Sequence, residues 1–183
     1  PLVSGGKFAG GFLFDGLSSN TYIKIGTNKN FSDVCVEGCF FSAWINSTAL
    51  QATSAILGRY NSATNDRFFR LYTDNNQNII FDIHENGNET GCSPSFTGFT
   101  TNIWHHVVGV YNKTHTFIYF NGEEKNKTKC PFNSINQIAW EDNEDTFIGA
   151  YDENNVFSEW KGVIDEVAMW NRSLSPEEIR DLY

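Results

Sequence analysis

The feature that most constrains this chain is a two-residue periodicity. Residues 21–25 (TYIKI) and 67–72 (RFFRLY) alternate polar and apolar side chains, and 78–83 (NIIFDI) does so more loosely. Successive side chains of an extended strand point to opposite faces, so such runs bury one face and wet the other. Residues 39–46 (CFFSAWIN) and 104–111 (WHHVVGVY) are instead apolar on both faces, which predicts central strands covered on each side. Residues 116–120 lead into Asn121-Gly122, the strongest short-range hairpin signal. Further strands are expected at 55–60, 145–150 and 162–170. Asn/Asp/Gly/Ser/Thr clusters at 61–66, 74–78, 84–95 and 151–158 separate the runs. Short strands at this spacing predict an all-β fold, a sandwich or a barrel. No internal repeat or interdomain linker interrupts residues 1–183, which read as a single domain.

One helix is signalled, at 176–182. Ser175 stands before Pro176, with Glu178 three residues after the serine. Serine cap and glutamate satisfy each other's orphan backbone N–H groups, and proline is pre-set for the first helical position. Leu174 before the cap is placed to staple against Ile179. So short a helix is unstable alone and must lie against the strands.

Thirteen basic against 22 acidic residues leave a net charge of −9, which argues against a nucleic-acid partner. No run approaches the roughly 18 apolar residues of a membrane span. The opening PLVSGG lacks the charged and apolar regions of a signal peptide, so the chain reads as cytoplasmic or as a piece of a longer exported protein. Two features favour export. Sequons of the form N-x-[ST] begin at Asn30, Asn46, Asn88, Asn112, Asn126 and Asn171. The cysteines are even in number: Cys35, Cys39, Cys92 and Cys130. Their spacing is too loose for a zinc cluster, and no neighbouring group marks a reactive thiol. Two structural disulfides in an oxidising compartment are expected. Three pairings are open to four cysteines. Cys35 with Cys39 would close a small loop before a central strand, and Cys92 with Cys130 would tie the 85–101 insertion to the strand after the hairpin.

Taken in order, GGFLFDG at 10–16, FSAWI at 41–45, ILG at 56–58, WHHVVGVY at 104–111, YFNG at 119–122, FIG at 147–149, GVIDEV at 162–167 and WNRSLSPEEI at 170–179 resemble the laminin G-like, pentraxin-like branch of the concanavalin A-like lectins and glucanases. The resemblance covers nearly the whole chain. It implies a two-sheet antiparallel jelly roll with one short C-terminal helix, a fold common in secreted and cell-surface proteins. Because this superfold hosts lectins, glycosidases, adhesion modules and spacers, function must be argued from the site itself.

Glucanases of the superfamily carry Glu-x-Asp-x-Glu, three carboxylates on one strand face. The nearest approach here, Glu141-Asp142-Asn143-Glu144-Asp145, puts asparagine in the middle and holds no apolar residue, so no catalytic residue is assigned. His105 and His106 follow each other in a strand and are expected on opposite faces, in structural roles. The resemblance also implies a structural calcium between the first and last segments, with Asp15 and Asp165 as its ligands. The acidic run at 141–145 is similar to a pentraxin acidic loop, and reads more simply as solvated charge. Tyr60, Trp140, Tyr151 and Trp160 stand near Asn/Asp-rich loops and are the candidate platform for a sugar face. Trp44, Trp104 and Trp170 fall within strand motifs and are expected in the core. The expectation is a non-catalytic extracellular or cell-surface module that binds a glycan or glycoprotein. A structural, protein-adhesion spacer is the alternative, and a glycosidase comes third.

Overall fold

The computed structural model describes residues 2–16, 21–26, 34–49, 51–61, 66–85, 91–132, 145–153 and 156–183. Strands follow in the order β1 (Leu2–Val3), β2 (Gly11–Asp15), β3 (Ile23–Gly26), β4 (Cys39–Ser47), β5 (Thr53–Asn61), β6 (Asp66–Asp74), β7 (Asn78–His84), β8 (Gly91–Cys92), β9 (Ser95–Thr97), β10 (His105–Tyr111), β11 (His115–Phe120), β12 (Glu123–Lys129), β13 (Thr146–Ile148), β14 (Asp152–Glu153), β15 (Val156–Phe157) and β16 (Lys161–Trp170), then helix α1 (Pro176–Leu182). Two antiparallel seven-stranded sheets form the jelly roll. The first runs β1-β2-β16-β4-β10-β11-β12, and the second β3-β13-β5-β6-β7-β8 with β9 also paired to β7.

Between the sheets lies an aromatic core. Phe41 of β4 stacks on Phe69 of β6 at 4.5 Å between ring centroids and meets Phe81 of β7 at 5.5 Å. Gly109 of β10 makes room for Phe81, since a Cβ there would stand 2.3 Å from the ring. The two strands that read as apolar on both faces, β4 and β10, are central in the first sheet. Their outward side chains Phe40, Val108 and Val110 are covered by Ile179 of α1. That helix starts as the sequence indicates, with Ser175 Oγ accepting from Glu178 N–H and the Glu178 carboxylate accepting from Ser175 N–H. Leu174 packs beside Ile179 as the staple.

At the Asn121-Gly122 turn both residues have positive φ, 51° and 79°, the geometry of a two-residue hairpin. The arm it leads into, β12, has no apolar side chain, so the turn and not the composition signals it. Cys35 pairs with Cys39, and Cys92 with Cys130, as expected from chain position. The second bond starts in β8 of the second sheet and ends just past β12 of the first, so it ties the two layers covalently.

Three expectations change. Trp170 is 57% exposed instead of core, because a bulge between Asp165 and Ala168 shifts the register of β16. Trp104 is half-buried, and only Trp44 of the three is buried outright. The strand expected at 145–150 is shorter, ending at Ile148 before Gly149 with φ 79°.

Candidate functional site

The candidate site stands on the outward face of the second sheet. Alternation along β6 sends Phe69 and Leu71 into the core and turns Arg70 and Tyr72 outward. Along β7, Ile79, Phe81 and Ile83 go inward and Asp82 and His84 outward. The register of the β6–β7 hairpin sets Arg70 directly opposite Asp82. The Arg70 Nε–H donates to both carboxylate oxygens, at 3.1 and 2.8 Å, and Nη1–H donates to the Tyr151 hydroxyl at 3.1 Å. Three rings surround the guanidinium, with Tyr60 3.9 Å, Tyr72 4.3 Å and Tyr151 5.2 Å from centroid to the guanidinium carbon. Gly58, opposite Arg70 on β5, lets this happen: a Cβ there would meet the Cβ atoms of Tyr151 and Arg70 at 3.2 and 3.3 Å.

Burial is the largest single influence and would lower the Arg70 pKa, but the Asp82 carboxylate together with Tyr151, Tyr72 and Tyr60 outweighs it and holds the guanidinium charged. Burial first, and then Asp82, raise the Tyr72 phenol, so its hydroxyl keeps its proton. The Asp82 side chain is 2% exposed, whereas Arg70 keeps 15%. The result is a guanidinium held in place by its carboxylate and its rings, its side chain 15% exposed and its Nη2 without a hydrogen-bond partner among the described residues. A planar fork of this kind recognises paired oxygens, a carboxylate or vicinal hydroxyls, and its fixed position lowers the ordering cost of doing so.

Of the four rings expected to form a sugar platform, Tyr60, Tyr151 and Trp160 are 8%, 1% and 0% exposed, so none offers a free stacking face. Tyr60 and Tyr151 do come together, as walls around Arg70, while Trp160 fills the core beside Phe99. Trp140 lies outside the described residues, as do Glu141, Asp142, Glu144, Asn30 and Asn88. Arg70 was missed because a lone arginine in a strand reads as solvated surface. The signal that could have found it was its place opposite Asp82 in a hairpin closing near Asn76.

The remaining assignments separate. His105 and His106 point to opposite faces, the first against Phe99 and Phe120, the second against Trp44. Asp15 is opposite Lys161 on β16, four residues from Asp165, so the two aspartates lie about 13 Å apart along the strand. Asp15 accepts from the Thr21 hydroxyl at 2.7 Å. Asp165 accepts from the backbone N–H groups of Lys7 and Glu166 at 2.8 and 2.9 Å. These residues do not fit one calcium, and among the described residues no three His, Cys, Asp or Glu side chains group to hold a metal. Asn112, Asn126 and Asn171 are exposed, and Asn46 is half-buried within β4. No described helix is long and apolar enough to cross a membrane.

A laminin G family model, described as concanavalin A-like lectin/glucanases superfamily, matches residues 17–180. A search of curated proteins finds no match. Among solved structures, the carbohydrate-binding module CBM40 of Ruminococcus gnavus IT-sialidase, bound to α2,3-sialyllactose, superposes with a TM-score of 0.74 at 14% identity, over 93% of this chain and 95% of that one. The heptameric SAP-like pentraxin from Limulus polyphemus gives 0.60 at 17% identity, over 79% of this chain and 69% of that one. The binding domain of botulinum neurotoxin DC, solved with rat synaptotagmin II, gives 0.64 at 15% identity, over 98% of this chain and 40% of that one. At these identities the likeness is one of fold.

Proposed function

Since the chain belongs to the concanavalin A-like lectin/glucanases superfamily, we propose that it is a non-catalytic glycan-binding module displayed outside the cell. The observation that carries the reading is the caged guanidinium of Arg70, a charged fork held in place on the outward face of the second sheet with 15% of its side chain exposed. A glycan presenting a carboxylate or a pair of hydroxyls takes the Nη2 end of Arg70, with Tyr72 as a protonated hydroxyl beside it. Nothing in this arrangement transfers a proton to a glycosidic oxygen. The carboxylate of this arrangement, Asp82, is committed to Arg70, whereas hydrolysis needs two placed across the scissile bond. Two disulfides and the sequons support an extracellular setting. Solved carbohydrate-binding modules of the same fold support the class of ligand.

The test is a broad glycan screen followed by titration calorimetry on wild type and Arg70→Lys. Lysine keeps the charge beside Asp82 and removes the planar fork. Affinity for the selected glycan is expected to fall at least roughly tenfold, about 1.4 kcal/mol, with the melting temperature within a few degrees of wild type. Equal binding by the variant removes Arg70 from the site. No binding to any glycan at millimolar concentration hands the case to the protein-adhesion spacer.

A further inference from the structure

The outward face of the first sheet, on the other side of the sandwich from Arg70, carries a separate groove. Two adjoining cavities of about 240 and 180 Å³ share Phe40, Trp170 and Leu182. The rings and methyls along it stand open, with Phe8 67%, Trp170 57% and Leu182 46% exposed. At the bulge in β16, Glu166 takes φ 49°, a conformation a non-glycine residue rarely holds, and its side chain lines the smaller cavity instead of following the pleat. Asp181 of α1 lines the larger cavity. Glu178 beside it is committed to Arg172, whereas among the described residues neither Glu166 nor Asp181 is in an ion pair.

Two further observations point to what the groove takes. His106 on its floor is 2% exposed; its Nε2 meets Ser42 Oγ at 2.8 Å, and its Nδ1 is buried with no partner among the described residues. One buried ring nitrogen beneath the cavity is thus left without a hydrogen bond. Lys7 already sets an ammonium on this surface, its Nζ 3.8 Å from the centroid of Trp44. The aromatic floor thus accepts a cation at the distance expected for a cation–π contact. No Asn or Gln, the planar groups that usually fix sugar hydroxyls, is among the described residues lining either cavity. With a net charge of −9, the chain as a whole also favours a basic partner.

We propose that this groove binds a lysine-bearing segment of a partner protein, its aliphatic stem along Trp170 and Leu182 and its ammonium between Trp170 and Glu166. The module then holds glycan on one sheet and protein on the other, and the two readings stand or fall separately.

The experiment follows the Trp170 indole resonance of the full chain by NMR. The probes are the peptide acetyl-Gly-Leu-Lys-Leu-Gly-amide, the same peptide with norleucine for lysine, and α2,3-sialyllactose. The lysine peptide is expected to shift the resonance saturably. The norleucine peptide is expected to bind roughly tenfold more weakly, and Glu166→Gln to weaken the lysine peptide several-fold. Binding of the lysine peptide to Trp170→Ala, followed by calorimetry, should be lost without a change in melting, and Arg70→Lys should leave it intact. Equal affinity for the two peptides, a saturable shift with sialyllactose, or no saturable shift at millimolar peptide overturns the proposal.

Discussion

Acidification should destabilise this protein through one residue well before its carboxylates titrate. His106 is 2% exposed, and burial, aided by the nearby Lys7 charge, pulls its pKa down to about 4. In the unfolded chain a histidine titrates near 6.5. Because the folded value is the lower one, the unfolded state binds more protons between these limits, and stability rises with pH across them. The contribution is fully present above about pH 6.5 and is lost as the pH falls toward 4. At about 1.4 kcal/mol per unit, the whole window is worth about 3 kcal/mol, of which about 2 falls between pH 7 and pH 5. With a urea dependence of about 2 kcal/mol per molar, the unfolding midpoint should drop by about 1 M. The comparison protein is His106→Gln, which does not titrate and keeps an amide to meet Ser42 Oγ. His105, whose pKa burial also lowers against a Thr100 hydrogen bond, is common to both proteins and cancels. Urea unfolding of the two at pH 7 and 5 should show an excess loss of about 1 M in wild type. Parallel midpoints would refute the assignment of the window to His106.

Two further outcomes follow from the covalent and steric frame. Replacing Cys92 and Cys130 by alanine releases a loop of 38 residues and should cost about 4 kcal/mol on the chain-entropy estimate. The same change at Cys35 and Cys39, separated by four, should cost about 2, so calorimetric melting must rank the pairs in that order. Gly109→Ala drives a methyl into the Phe81 ring and should destabilise by about 1–3 kcal/mol, read as a lower urea midpoint; an unchanged midpoint would mean that the ring can retreat.

What could be read from the residues divides along physical lines. Local signals survived: the cap at Ser175, the Asn121-Gly122 turn and the doubly apolar runs of β4 and β10 depend on a few neighbouring residues, and the structure contains them. The calcium assignment failed because it rested on Asp15 and Asp165 coming together. Their separation is set by the β2–β16 register, which no local pattern announces. The sugar platform failed for a related reason. Tyr60, Tyr151 and Trp160 are flanked by polar loop residues, yet burial is decided by what packs over a ring in three dimensions. Trp170 erred in the opposite direction, since its strand motif is apolar but the bulge at Asp165–Ala168 leaves its ring facing water. Arg70 becomes visible only when two strands are aligned and Asp82 falls opposite.

The polar arm β12 has a bearing on how many copies of such a protein can share a small volume. It closes the first sheet with the sequence EEKNKTK, five of its seven residues charged and all but Thr128 exposed. Lys125 pairs with Glu123, and Lys127 with Glu124 at 3.8 Å. An outermost strand has a row of unsatisfied N–H and C=O groups that will zip onto any neutral extended segment it meets. Side chains of both signs make that approach costly, because an incoming strand must strip their water or break their pairs. At the other end, β1 is only two residues long and gives little to zip onto. Crowded copies of the protein should therefore stay separate particles instead of fusing into continuous sheets.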